Sequence, residues 1–160
     1  MLRTKDILDE KDPRVRAKNT DVDFPLNDEY KDIIPEMLKH LRYSQIEKLS
    51  KKYDLRPGMG LAAPQLGINK NFFVVCYEVK DGVFDDYILI NPKVISYSEE
   101  MIYAGEGEGC LSVNREVEGI VPRHARITVE AYDLDGNKRK YRVREDLAIA
   151  FQHELDHLNG

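Results

Sequence analysis

The sequence predicts an α+β fold: antiparallel β-sheets packed around a C-terminal helix, with a long helix towards the N-terminus. Three observations predict it. Apolar residues recur at three- and four-residue spacings over residues 28–53 and again from Glu145 onward. Between them lie runs of β-branched and aromatic residues that read as strands. Those strands are joined by Asp81-Gly82 and Asp135-Gly136, dipeptides that accommodate positive φ and turn a chain back antiparallel. Hairpins in the middle with helices at the two ends belong to α+β architecture, not to alternating parallel units.

Each element has its own justification. Ile33, Ile34, Met37, Leu38, Leu41, Ile46 and Leu49 place a helix over residues 28–53, with Pro35 near its start, where proline is tolerated or kinks the chain. Pro57 and Gly58 then break it. Residues 71–79 and 86–91 read as strands flanking the Asp81-Gly82 turn, and residues 125–144 as a hairpin around Asp135-Gly136. From Glu145 the period becomes helical, with Leu147, Ile149 and Ala150 leading into His153 and His157.

Composition bounds the function. A chain of 160 residues can form one domain with a true core, and residues 1–160 are read as a single catalytic domain whose C-terminus looks truncated. The formal net charge is −5, with basic residues spread along the chain among acidic neighbours, so direct nucleic-acid binding is not expected. No apolar stretch approaches the roughly 20 residues that span a membrane, and the N-terminus has no apolar core of a signal peptide. A cytoplasmic location follows as the expectation, with Cys76 and Cys110 as free thiols.

The chemistry concentrates at His153-Glu154-Leu155-Asp156-His157. On a helix, residues four apart share a face, so the two imidazoles can point at one ion with Glu154 beside it as a base. Two histidines rarely hold a catalytic metal alone. A downstream third ligand would fall beyond Gly160, so the third ligand comes either from upstream or from residues past Gly160. Cys76 lies mid-strand and reads as a buried small hydrophobe. His40 falls on the polar side of the long helix and reads as solvated, and His124, at a strand start, reads as a surface residue. Cys110 sits among glycines that let backbone approach a site closely, but the local sequence equally allows a buried turn cysteine.

Three stretches taken together narrow the reading: Gly58-Met59-Gly60-Leu61-Ala62-Ala63-Pro64-Gln65, Glu108-Gly109-Cys110-Leu111-Ser112, and Gln152 to His157. In order and spacing they resemble peptide deformylase, and the cysteine stretch is similar to the type found in Gram-positive bacteria. The resemblance covers most of the chain from Gly58 onward. It implies a hydrolase that removes the formyl group from the N-terminal formyl-methionine of nascent polypeptides, releasing formate. It implies Cys110, His153 and His157 as ligands of one divalent metal ion, Fe²⁺ in the cell, with Zn²⁺, Ni²⁺ or Co²⁺ in preparations. One thiolate and two imidazoles leave a position open for water, which attacks with Glu154 as general base. The Gln65 amide and the Leu111 backbone N–H would donate to the developing oxyanion. Gly60 and Gly107 would offer main chain to the peptide as an added strand. Met59, Ile149 and Ala150 could line the methionine slot. Glu108 and Arg123 could form an ion pair behind the cysteine. The implied partners are formyl-methionyl nascent peptides, with transient ribosome proximity and no membrane.

Two readings from other classes stay in view: a metallopeptidase using the same helix, and a non-catalytic binder of formyl-peptides or of a structural metal. A thiolate on ferrous iron is vulnerable to oxygen. The iron-loaded enzyme should therefore lose activity in aerated buffer as Cys110 oxidises. Full retention of activity in air, with iron confirmed present, would contradict that assignment.

Overall fold

The computed structural model describes residues 1–103 and 121–159. Helix α1 (Asp28–Ser44) starts where the Asn27 side chain accepts from the Glu29 N–H at 2.8 Å, with Asp28 and Glu29 favourably placed in the first turn. The single helix expected over residues 28–53 is two: α1 and a short α2 (Glu47–Tyr53). Gln45 is the reason. Its amide donates to the Gly58 carbonyl at 3.1 Å and to the Cys76 carbonyl at 2.8 Å, so the chain turns there, and Ile46 is extended (φ −104°, ψ 112°). Asp54, in the left-handed region at φ 55°, closes α2.

The strands are β1 (Gly60–Ala62), β2 (Phe72–Lys80), β3 (Val83–Tyr97), β4 (Met101–Ile102), β5 (Arg123–His124), β6 (Arg126–Tyr132) and β7 (Lys138–Arg144). Five of them form an antiparallel sheet in the order β1-β2-β3-β6-β7, while β4 and β5 pair separately. Helix α3 (Glu145–Leu158) follows β7 directly. The strand expected over residues 86–91 is only the middle of β3. At its far end Asn91 takes φ 53° and exchanges two hydrogen bonds with the Val22 backbone, at 2.8 and 2.9 Å. The register shifts between Ile90 and Lys93, past Pro92, and the strand continues against β6.

Around β2 the sheet is buried on both faces, and that strand divides the core. Phe72, Val74 and Cys76 face α1, together with Ile34, Met37, Leu41, Leu61 and Ile90. Phe73 and Val75 face α3, together with Leu89, Ile127, Val129, Ala131 and Val143. Strict alternation in an unbroken apolar run is what a strand covered on both sides requires. The α3 face is anchored by aromatic rings. Phe151 of the helix meets Phe73 and Tyr87 edge-on at 5.5 Å each, and Tyr141 at 6.3 Å.

Candidate metal and catalytic site

Helix α3 presents three faces with different duties. Ala148, Phe151, Leu155 and Leu158 follow a three- and four-residue spacing and pack on the sheet. His153 and His157 lie together on a second face, ring centroids 5.0 Å apart at 71°. Burial pushes the His157 imidazole down to about 4, and the neighbouring His153 adds to the effect. A neutral imidazole with a lone pair is the form that binds metal. Glu154 between them is 3% exposed. The pair of imidazoles beside a buried carboxylate suits a divalent ion; among the described residues, no group of three ligating side chains gathers.

Strand β1 supports the carboxylate from the other side. A Cβ on Gly60 would stand 2.6 Å from Glu154 Oε2 and 2.8 Å from its Cδ, so only glycine leaves the carboxylate its place. Among the described residues β1 is an edge strand, paired with β2 alone. Immediately after it, Gln65 is 1% exposed, and its Oε1 accepts from the Ala62 N–H at 2.9 Å. That bond fixes the orientation of the amide and leaves its Nε2 as the donor end.

A third face of α3 is tied to β5. Gln152 accepts from the His124 N–H and donates to the His124 carbonyl, both at 2.8 Å. One turn on, Asp156 is paired with the buried Arg123 guanidinium. Successive residues of β5 therefore hold α3 at i and i+4. His124 is itself fixed by its Nδ1 against the Ser98 carbonyl at 2.7 Å and by its ring against Tyr97. The last turn of α3 is capped from afar: Asn19 Nδ2 donates to the Leu158 carbonyl at 2.7 Å.

The residues expected at the site fall out as follows. His153, His157, Glu154, Gly60 and Gln65 are brought to the inner part of α3 and β1. Ile149 is buried and Ala150 half-buried, one turn before the histidines, and Met59 is half-buried beside Gly60. Gly107, Glu108, Cys110 and Leu111 lie outside the described residues. Arg123 is in place, with Asp156 as a partner that sequence reasoning missed; Gln152 and Asn19 were missed as well. The four-residue spacing of Gln152 and Asp156, parallel to that of the histidines, was the available signal for the first two. Nothing local marks Asn19. His40 corrects an expectation: it is not solvated but 1% exposed, with Nδ1 2.9 Å from the Leu2 carbonyl. It continues the buried stripe of Met37, Leu41 and Ser44 because residues 1–3 fold back over α1. His124 is half-buried, held as described, and not a simple surface residue. Cys76 is fully buried, and burial pushes its thiol up to about 12, as befits an inert core residue.

The family model for polypeptide deformylase matches residues 4–160. The chain belongs to the peptide deformylase family. A peptide deformylase of Macrococcus caseolyticus is 50% identical over 161 residues, spanning 100% of this chain and 88% of its own length. That of Oceanobacillus iheyensis is 46% identical over 160 residues, spanning 100% of this chain and 87% of its own. These are Gram-positive bacteria, in line with the resemblance carried by the cysteine stretch. Among solved structures, the peptide deformylase of Thermotoga maritima is 32% identical with a TM-score of 0.72, covering 96% of this chain and 90% of that one. The α+β class, the antiparallel sheet and the C-terminal helix agree. The chain is therefore a hydrolase that removes the N-formyl group from nascent peptides, in a family that depends on metal. No helix among the described residues is long and apolar enough to cross a membrane.

Two outcomes follow from this geometry. Gly60→Ala forces the Glu154 carboxylate aside, so kcat should fall about 100-fold, the scale expected of a displacement near 1 Å; kcat within twofold of wild type would show the carboxylate has room to spare. The second concerns pH. In metal-stripped protein, unfolded His157 takes up its proton near the ordinary 6.5 and folded His157 only near 4. Between those values the unfolded chain binds more protons, so stability falls as pH drops from about 6.5 to about 4 and is unaffected above that window. Urea midpoints at pH 7 and pH 5 should converge in His157→Gln; an undiminished difference would assign the effect to other groups.

Proposed function

We propose that the chain removes the formyl group from N-terminal formyl-methionine, as a metal-dependent hydrolase in which Glu154 carries the proton. The observation that carries the reading is the buried Glu154 carboxylate, on the helix that carries the two neighbouring imidazoles and pressed against Gly60 of an edge strand. Cys110, His153 and His157 are the proposed ligands of one divalent ion, Fe²⁺ in the cell. Such an ion, when bound, is a Lewis acid that brings the pKa of water towards about 7.

The protein's own groups do the rest. Water attacks the formyl carbon while a Glu154 oxygen takes its proton; the same carboxylic acid then delivers that proton to the departing amine nitrogen, and formate leaves. The fixed Gln65 amide and the Leu111 N–H donate to the oxygen that becomes negative, donors typically worth about 3 kcal/mol each. The peptide main chain adds to β1 at Gly60 and runs past Gly107, which gives affinity without reading later side chains. Met59, Ile149 and Ala150 line a slot for the unbranched thioether. Arg123, held by Asp156 and by Glu108, steadies the ligand set from behind. The work is done in the cytoplasm by a single domain spanning residues 1–160, close to the ribosome.

The test is formate release from a formyl-Met tripeptide by anaerobically prepared, Fe²⁺-loaded protein, beside Glu154→Ala. Wild type should release formate and the variant at least 1,000-fold less, consistent with loss of a proton carrier and its charge. Equal formate from both would remove Glu154 from the mechanism. No formate from either, with one metal bound per chain, would overturn the reading.

A further inference from the structure

Helix α1 covers the β1-β2-β3 half of one sheet face and stops there; beyond it, the same face of β6 and β7 meets solvent. The register fills that surface with cations. Arg126 stands opposite Arg144, Thr128 opposite Arg142, Glu130 opposite Lys140 and Tyr132 opposite Lys138, while Lys93 of β3 pairs with Glu130 from the other side. Six basic side chains, all exposed, occupy this face in a chain whose net charge is −5. Among the described residues, two carboxylates reach them: Glu130, hydrogen-bonded by Lys138 at 2.7 Å, and Glu100, 3.7 Å from Arg126. The Lys138 hydrogen bond foremost, with Lys140 and Lys93 adding to it, holds the Glu130 carboxyl below its ordinary range. Four of the six alternate along the single run Lys138–Arg144; the sheet sets Arg126 and Lys93 beside them.

Charge on an edge strand guards against edge-to-edge aggregation, which accounts for some cations on β7. It does not account for Lys93 and Arg126, which lie on interior strands. Nor does it account for Arg126 set directly across from Arg144, since like charges in that position oppose folding. An anionic occupant accounts for all of them.

The details specify the anion. Alternate residues of a strand stand roughly 6.8 Å apart and neighbouring strands about 4.8 Å, so the cations form a two-dimensional grid suited to repeated phosphates. The one aromatic ring in these rows, Tyr132, is half-buried and packed on Phe24 at 5.5 Å, so no platform for stacking single-stranded bases exists there. No apolar side chain of β6 or β7 stands in these rows to anchor the face in a lipid surface. The substrates of this family are nascent chains, which emerge from a particle surfaced largely with folded RNA. We propose that the outer face of β6 and β7, with Lys93, binds the phosphate backbone of double-helical RNA. This departs from the expectation that scattered basic residues imply no nucleic-acid contact. It is independent of which residues perform the hydrolysis.

The experiment titrates the full metal-loaded protein into a fluorescent 20-base-pair RNA duplex of arbitrary sequence at several salt concentrations, beside Lys140→Gln/Arg142→Gln. Four phosphate contacts imply a log–log salt slope near −3.6 and about a 100-fold loss of affinity between 50 and 200 mM salt; the double variant should flatten the slope by about 2. Formate release from a free tripeptide should be unchanged in the variant, which separates this result from failure of the hydrolytic reading. No binding at 50 mM salt, or wild type and variant with equal slopes, would overturn the proposal. So would binding to poly-glutamate, or to vesicles containing phosphatidylserine, as tight as binding to the duplex.

Discussion

The rotation of α3 about its own axis governs this site. Successive helical residues point about 100° apart, so a slip of one position would carry His153 off its face and replace a buried carboxylate with leucine. Burying the Glu154 carboxylate is unfavourable unless the surroundings are built for it. The fold meets that requirement from three directions. Phe151 is locked between Phe73, Tyr87 and Tyr141; Gln152 and Asp156 are tied to His124 and Arg123; and Asn19 holds the last carbonyl turn. Each fixture acts on a different face, and together they leave the histidine face one orientation. Preorganisation of this kind is what the proposed proton-carrying role of Glu154 needs, since groups already in position lose no energy in reorganising during a reaction.

The sheet has a different task on each side of its midline. Under α1 and α3 it is core: β2 contributes alternate residues to both faces, and Cys76 is buried beyond chemical use. Beyond α1 it is surface, and the same alternation turns a row of lysines and arginines outward. One pleat therefore builds a hydrophobic floor for α3 and a charged exterior from a single run of residues, because side chains i and i+1 in a strand cannot share a face.

The elements that local pattern determines were legible in the sequence. The α3 helix with its paired histidines, the Asp135-Gly136 hairpin, the β2 strand and the overall class all depend on short-range periodicity or turn chemistry. What was illegible depends on distant partners. The break at Gln45 exists because its amide finds carbonyls at Gly58 and Cys76. The extension of β3 past Pro92 exists because Asn91 is held by Val22. His40 is buried because residues from the N-terminus lie across it, though its place in the stripe with Met37, Leu41 and Ser44 was a signal available for the asking. The ties from β5 to α3 likewise follow from a register that no local window contains. The Gly60–Glu154 contact joins two of the family's motifs, yet only the folded chain brings them together.

The Asn19 cap links two points 139 positions apart in the chain. Asn69 reinforces it, donating to the Asn19 side chain at 3.3 Å and to the Arg14 carbonyl at 3.0 Å. Such a contact gives the molecule a temporal order as well as a shape. Long-range closures are entropically slow and come late in folding, and a chain synthesised from its N-terminus carries Asn19 through 139 further residues before its acceptor exists. The N-terminal arm must wait, and the last turn of α3 is secured only when that turn forms. An enzyme that acts on chains still being made thus has the end of α3 secured by a segment synthesised long before it.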